Sequence, residues 1–93
     1  MNGIKTFENG VTTPSVLNYR KFLTDNKSST YYTDFTEGVE GQEILIQSGG
    51  NTVIVNGATV KLAGSTNAIL TPGSTLSLVK RGSVWYETGR SIL

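Results

Sequence analysis

The chain contains no cysteine and no histidine. Without cysteine there are no disulfides to staple a small fold, and no thiol nucleophile. Without histidine a zinc site would need carboxylates alone, which zinc proteins hardly use. Neither a Ser-His nor a Cys-His pair can be assembled. Charge is also scarce. Only 16% of residues are charged, against roughly 25% in an ordinary domain. The net charge is +1, and Arg20-Lys21 and Lys80-Arg81 are the only adjacent basic pairs. No basic patch therefore points to nucleic acid. No apolar run approaches the eighteen or so residues of a membrane span, so membrane insertion is not expected. Met1-Asn2-Gly3-Ile4-Lys5 lacks the apolar segment of a signal peptide. Either export by that route is absent, or the chain is a fragment carrying an added start methionine.

What is present is turn and strand chemistry. Glycine supplies 11 of 93 positions, above the usual share of about 7%. Serine, threonine, asparagine, valine and isoleucine are plentiful. Disorder favours high net charge and few β-branched residues, so this composition argues for folded β-structure. Ninety-three residues make one domain at most. A chain this small buries a low fraction of its surface. Disulfides, metals and self-association are the usual supports, and only self-association is left.

In chain order, residues 1–18 read as a leading strand or linker, ordered mainly where a neighbour covers it. Asn9-Gly10 marks a turn, and Thr13 before Pro14 is pushed to extended backbone. Residues 19–93 read as a single β-structured module. Val16, Tyr19, Phe22 and Leu23 fit a helical stripe, but Tyr19, Phe22 and the threonines favour a strand over 19–24. Asp25 to Ser29 is a polar loop in which Asn26-Lys27-Ser28 formally matches a glycosylation acceptor. Thr30 to Phe35 has strand composition.

From Gly41 onward, short apolar runs start at residues 44, 53, 60, 69, 76 and 84, at intervals of 9, 7, 9, 7 and 8. Antiparallel hairpins in a meander or sandwich give such a beat. So does a β-helix with three short strands per coil. The offsets 44 to 69, 53 to 76 and 60 to 84 are 25, 23 and 24 residues. Their near-constancy favours stacked coils, with Ile44 near Ile69, Val53 near Leu76 and Val60 near Val84. The expected fold is all-β, with a meander or sandwich of hairpins and a short β-helix both fitting the spacing.

The search for chemistry yields little. Asp34, Glu37, Glu40 and Glu43 are the only clustered carboxylates, and their spacing suits a solvated turn better than an acid–base dyad or a calcium loop. No Ser-Lys dyad is expected. Gly49-Gly50 and Gly64-Ser65 lack the spacing of phosphate loops and read as tight turns. No cofactor or metal is implied, and the chain is not expected to be an enzyme. The aromatic pairs are more informative. Tyr31-Tyr32 and Trp85-Tyr86 are neighbours in strands, so one of each pair enters the core and the other faces out. Outward Tyr or Trp serves interfaces and sugar stacking. Tyr31, Tyr32, Trp85 and Tyr86 are thus the candidate receptor- or glycan-contacting residues, with subunit packing as the plainer reading.

Three pieces then align in order: Thr13-Pro14-Ser15-Val16, Phe22-Leu23-Thr24-Asp25-Asn26 and Tyr32-Thr33-Asp34-Phe35-Thr36-Glu37-Gly38-Val39-Glu40-Gly41-Gln42. Val60-Lys61-Leu62-Ala63-Gly64, Leu76-Ser77-Leu78-Val79 and Gly82-Ser83-Val84-Trp85-Tyr86-Glu87 follow. This series, over about residues 13–91, resembles a module of bacteriophage tailspikes, tail fibres and neck-appendage proteins. The resemblance implies an all-β fold, a short β-helix or β-prism-like stack of short strands, serving as a structural and trimerisation module of a host-adsorption protein, homotrimeric, attached to upstream tail or fibre domains and located in the virion. It also implies a possible contribution to recognition of a host receptor or surface glycan. The alternatives are a carbohydrate-binding module using the exposed aromatics, or a non-catalytic fragment of a glycan-degrading tailspike. The chain lacks the long coiled-coil helices of a self-cleaving tail chaperone, and no catalytic motif carries over.

Overall fold

The computed structural model describes residues 3–93. Nine strands form: β1 (Ile4–Thr6), β2 (Lys21–Leu23), β3 (Thr30–Tyr32), β4 (Glu43–Gln47), β5 (Thr52–Ile54), β6 (Val60–Lys61), β7 (Ala68–Leu70), β8 (Thr75–Arg81) and β9 (Val84–Ser91). A 3-10 turn at Ala63–Ser65 precedes β7. One sheet has six strands in the order β1-β2-β4-β8-β9-β6, and the other has three in the order β3-β5-β7. The fold is all-β with two sheets. The strand chosen for 19–24 is present as β2, and each apolar run from Ile44 onward falls on a strand.

The even beat has a specific origin. From β2 to β8 successive strands alternate between the two sheets. Within this stretch no strand pairs with the one that follows it in sequence. Up to β5 the ladders are parallel: β1 with β2, β2 with β4, and β3 with β5. Parallel neighbours require a long crossover, and those from β2 to β4 and from β3 to β5 each pass through a strand of the opposite sheet.

The stacking expected downstream is replaced. Ile44 lies opposite Leu78 and Ile46 opposite Leu76, in an antiparallel ladder between β4 and β8. Val53 lies opposite Ile69, again antiparallel, not beside Leu76. Val60 comes within one residue of its expected neighbour, pairing in parallel with Trp85. The turn after β7 reverses the chain. Ser74 N–H donates to the Thr71 carbonyl at 2.9 Å, and Gly73 takes φ +87°, a conformation that glycine adopts without steric cost. β8 and β9 then close as a hairpin over Gly82-Ser83, with Gly82 at φ +62°. Glycine at the first central position is the requirement of a two-residue type II′ turn.

The inner faces of both sheets meet in one core. Phe22, Ile44, Ile46, Leu76, Leu78, Val60 and Trp85 enter from the six-stranded sheet, and Tyr32, Ile54, Ala68 and Leu70 from the three-stranded sheet. Phe35 and Leu62 fill the gaps from the connections. The segment expected as a leading strand or linker is built into this unit from residue 3 onward, its first two residues lying outside the described ones. It forms β1 and buries Phe7 and Val16. Phe7 stacks on Phe22 with ring centroids 4.6 Å apart. The aromatic column continues through Tyr32 and Phe35 to Trp85, which meets Phe35 edge-on at 6.2 Å. Such contacts contribute about 0.5–1.5 kcal/mol each beyond area burial. Trp85 also donates its indole N–H to the Phe35 carbonyl at 3.1 Å. Gly38 lies flat on the indole, where an added Cβ would stand 2.5 Å from Cζ2.

Charge is distributed unevenly. No residue from 44 to 60 or from 62 to 79 is charged, so β5 and β7 carry no charge, and β3 carries none either. The six-stranded sheet holds Lys5, Lys21, Glu43, Lys61, Lys80, Arg81, Glu87 and Arg90.

Candidate functional site

Strand alternation settles where the four aromatics point. Tyr32 and Trp85 are fully buried, while Tyr31 is 52% and Tyr86 44% exposed. Tyr32 and Trp85 are core residues in this fold and offer no surface to a ligand. Tyr32 Oη accepts from Asn26 Nδ2 at 3.0 Å, and burial pushes its hydroxyl above the ordinary tyrosine range despite that bond. The two outward tyrosines stand on the outer faces of different sheets. Since both inner faces share one core, those outer faces look away from each other. Tyr31 and Tyr86 are therefore two surfaces and not one platform.

Tyr86 lies in a cross-strand row with Val79 and Glu43 on one side and Lys61 on the other. Tyr31 lies in a row with Val53 and Ile69. Ile69 is 68% exposed, and sequence reasoning passed over it. In Ala68-Ile69-Leu70 every residue is apolar, so no polar alternation marks the outward one. The detectable signal was the missing charge on either side.

The carboxylates are engaged locally. Asp34 Oδ1 accepts from Phe35 N–H at 2.9 Å. Glu40 accepts from Gly82 N–H at 2.6 Å and lies 3.4 Å from Arg81 Nε, tying the 36–41 connection to the β8–β9 hairpin. Among the described residues no three carboxylates converge on one point. Ser77-Leu78-Val79-Lys80 does have Ser-x-x-Lys spacing. On a strand, however, residues three apart face opposite sides. Lys80 reaches over the buried Trp85 ring, its ammonium 5.4 Å from the ring centroid, and forms no dyad with Ser77.

The most buried ion pair is Glu87 with Arg90. Two charge-assisted bonds of 2.7 Å join them, and Ala63 N–H donates to the same carboxylate at 2.8 Å. The Glu87 side chain is only 4% exposed. The arginine bond holds its carboxyl below the usual range, against the opposing effect of burial. Residues three apart meet here because Thr88 is an extra residue: Leu78 pairs with Glu87 and Ser77 with Gly89. The bulge resets parity and puts Glu87 and Arg90 on one face.

A polar network crosses the inner side of the three-stranded sheet. Asn26 is 6% exposed. Its Oδ1 accepts from Gly10 N–H at 3.1 Å, and its backbone carbonyl accepts from Asn51 Nδ2 at 2.9 Å. Thr24 and Thr52 hydroxyls bond at 2.7 Å. The formal glycosylation acceptor is thus a buried structural residue. The surface grooves are open to solvent. One of about 290 Å³ runs between Arg20, Glu43, Leu45, Ser77 and Thr88.

An all-β unit of two sheets around one core is the class these features define. The model of the phage depolymerase C-terminal beta sandwich domain matches residues 5–86, and the chain belongs to that family. Its resemblance to a phage tailspike module is thereby shown, and the sandwich of the family's description accords with the two sheets. No curated protein sequence matches the chain.

Proposed function

We propose that this chain is a structural and trimerisation module of a phage tail protein that acts in host adsorption, non-catalytic itself and joined to upstream tail or fibre domains in the virion. The family match over residues 5–86 carries the reading. The absence of disulfides in so small a core supports self-association. The parallel ladders among β1 to β5 support a short β-helix-like winding in the first half, as a continuation of stacked coils. Size-exclusion chromatography with light scattering is the test. Three times the chain mass is expected, and a stable monomer would sink the trimer.

A second reading has one observation in its favour. Tyr86 is outward, beside Val79, with Lys61 next in its row. A ring face flanked by a cation suits stacking on an anionic sugar. Glycan-array binding that Tyr86→Ala removes is the expected result; an array with no signal removes this reading.

A further inference from the structure

We infer that Asn9-Gly10 and Asn56-Gly57 are latent self-modification sites, labile pairs that the fold holds unreactive and that unfolding releases. The sequence has three Asn-Gly pairs, beginning at residues 2, 9 and 56, and Asn2 lies outside the described residues. In such a pair the glycine nitrogen attacks the asparagine side chain, because no Cβ shields it. The nitrogen loses its proton and bonds to the asparagine Cγ, and the Cγ–Nδ2 bond breaks with release of ammonia. Water then opens the cyclic imide at either carbonyl. The product is aspartate, or isoaspartate with an extra methylene in the main chain.

The fold engages both reacting groups of each pair. Gly10 N–H donates to Asn26 Oδ1 at 3.1 Å, and Asn9 Oδ1 accepts from Lys27 N–H at 2.9 Å. Gly57 N–H donates to the Val60 carbonyl at 2.8 Å, and Asn56 Oδ1 accepts from Leu62 N–H at 2.9 Å. A nitrogen whose proton is bonded is harder to ionise. A carboxamide held by its oxygen cannot swing onto its own main chain. Burial does not supply this protection, since Asn9 and Gly10 are both exposed. The group that guards Gly10 is itself fixed. Asn26 is buried, its Nδ2 donates to Tyr32 Oη at 3.0 Å, and its carbonyl accepts from Asn51 Nδ2 at 2.9 Å.

Reaction at either pair makes unfolding irreversible, because the modified chain no longer returns to the same native state. One event adds a negative charge and cancels the net charge of +1. At residue 9 an added methylene falls just after the buried Phe7, whose ring stacks on Phe22. At residue 56 it falls in the connection between β5 and β6. The working life of the chain is then set by how long these two segments stay open.

The test is peptide mapping by mass spectrometry after the intact chain is incubated at mildly alkaline pH, with and without guanidinium chloride. Cleavage after Lys5, Arg20, Lys27 and Lys61 puts the three asparagines on separate peptides. In wild type, Asn9 and Asn56 are expected to react at least about tenfold slower when folded, the population ratio set by one hydrogen bond of ~1.4 kcal/mol. Equal rates in both conditions overturn the protection. Asn26→Ala, shown to be folded by circular dichroism, is expected to speed Asn9 by a similar factor and leave Asn56 slow. Thr52→Val removes the hydroxyl that Thr24 and Asn26 share but leaves the Gly10 bond in place, so both asparagines should stay slow. Unchanged Asn9 in folded Asn26→Ala, or Asn9 and Asn56 rising together in it, overturns the part given to Asn26. Hydrogen exchange on wild type decides the matter if Asn26→Ala does not fold. The Gly10 and Gly57 amides should both be protected, and fast exchange at either overturns the protection of that pair.

Discussion

The two sheets solve the same packing problem with opposite chemistry. The six-stranded sheet turns its apolar side chains inward but carries charge on both faces, with Lys5, Lys80, Glu87 and Arg90 in register with the inward Phe22, Trp85, Leu78 and Leu76. It buries Phe22, Ile44, Ile46, Leu76, Leu78 and Trp85, and it shows Lys21, Glu43 and Arg81 to water. The three-stranded sheet reverses part of this order. Thr30 and Thr52 are buried on its inner side, while Tyr31 and Ile69 face out. A sheet that hides hydroxyls must satisfy them: Thr30 Oγ1 donates to the Ser28 carbonyl, and Thr52 Oγ1 bonds the Thr24 hydroxyl and accepts from Asn26 Nδ2. Its outer face carries the row Tyr31, Val53 and Ile69 on three strands without charge. The difference lies in where each sheet keeps its polar groups: the smaller one holds them inside and the larger one on both faces.

The largest way to break the comparison is at the six-stranded sheet's inner face. Trp85→Ala removes the end of the aromatic column and leaves the Phe35 carbonyl without its donor. A loss of about 4 kcal/mol is expected, read as a fall in the urea midpoint or as failure to fold.

Next comes the inner network of the smaller sheet. Asn26→Ala strands Gly10 N–H and Tyr32 Oη, whose partners it removes. The expected cost is about 2–3 kcal/mol. Amide exchange should rise first around Gly10 and β3, because those groups lose their direct bonds. Uniform loss of protection across the chain would show that the network is not local to this sheet.

A smaller effect, dependent on pH, belongs to Glu87. Its folded-state pKa lies below the ordinary carboxylate value. The ion pair therefore adds stability above roughly pH 4.3, the unfolded reference, and that stability is lost as pH falls through the folded value. Glu87→Gln is expected to cost about 1.5 kcal/mol at pH 7, the low end for a charged hydrogen bond. The same variant should show a smaller drop than wild type on acidification. Urea titrations at neutral and acid pH measure both.

The smallest expected effect is at Arg81. Its pair with Glu40 is exposed on both sides, and such pairs contribute about 0–1 kcal/mol. Arg81→Ala should change the urea midpoint by under about 0.5 kcal/mol of stability. A larger change would mean that the outer charges of the six-stranded sheet do more than keep that face wet.

Much of the fold was legible because strands leave a local mark. Val, Ile and Leu in runs of two to four, separated by Gly, Asn and Pro, located β4 to β9. That one member of each pair, Tyr31-Tyr32 and Trp85-Tyr86, turns inward followed from a period of two, but which member does so did not. Pairing was not legible. An offset near 24 residues is compatible with a parallel coil and with strands that alternate between sheets, and only the reversal at Thr71-Pro72-Gly73-Ser74 distinguishes them. Phe7 and Val16 were equally hidden. Isolated apolar residues in a polar stretch show no period, and they earn their burial by filling gaps between sheets that form from distant sequence. Of the candidate surface, Tyr31 was visible, and Ile69 was lost inside an apolar run.

By itself the sequence determined that this protein is built of short strands, without disulfide or histidine chemistry and with little charge. Those are properties of residue type and local spacing, and no partner is needed to express them. The tertiary structure decided which strands pair, in which direction, and which residues of each strand share a face. It turned Asn26 from a surface acceptor into a buried clamp, and it set Glu87 opposite Arg90 through one extra residue. It also lined up Tyr31, Val53 and Ile69, which are 38 residues apart from first to last. Cross-strand register is a long-range property, and only the folded chain fixes it.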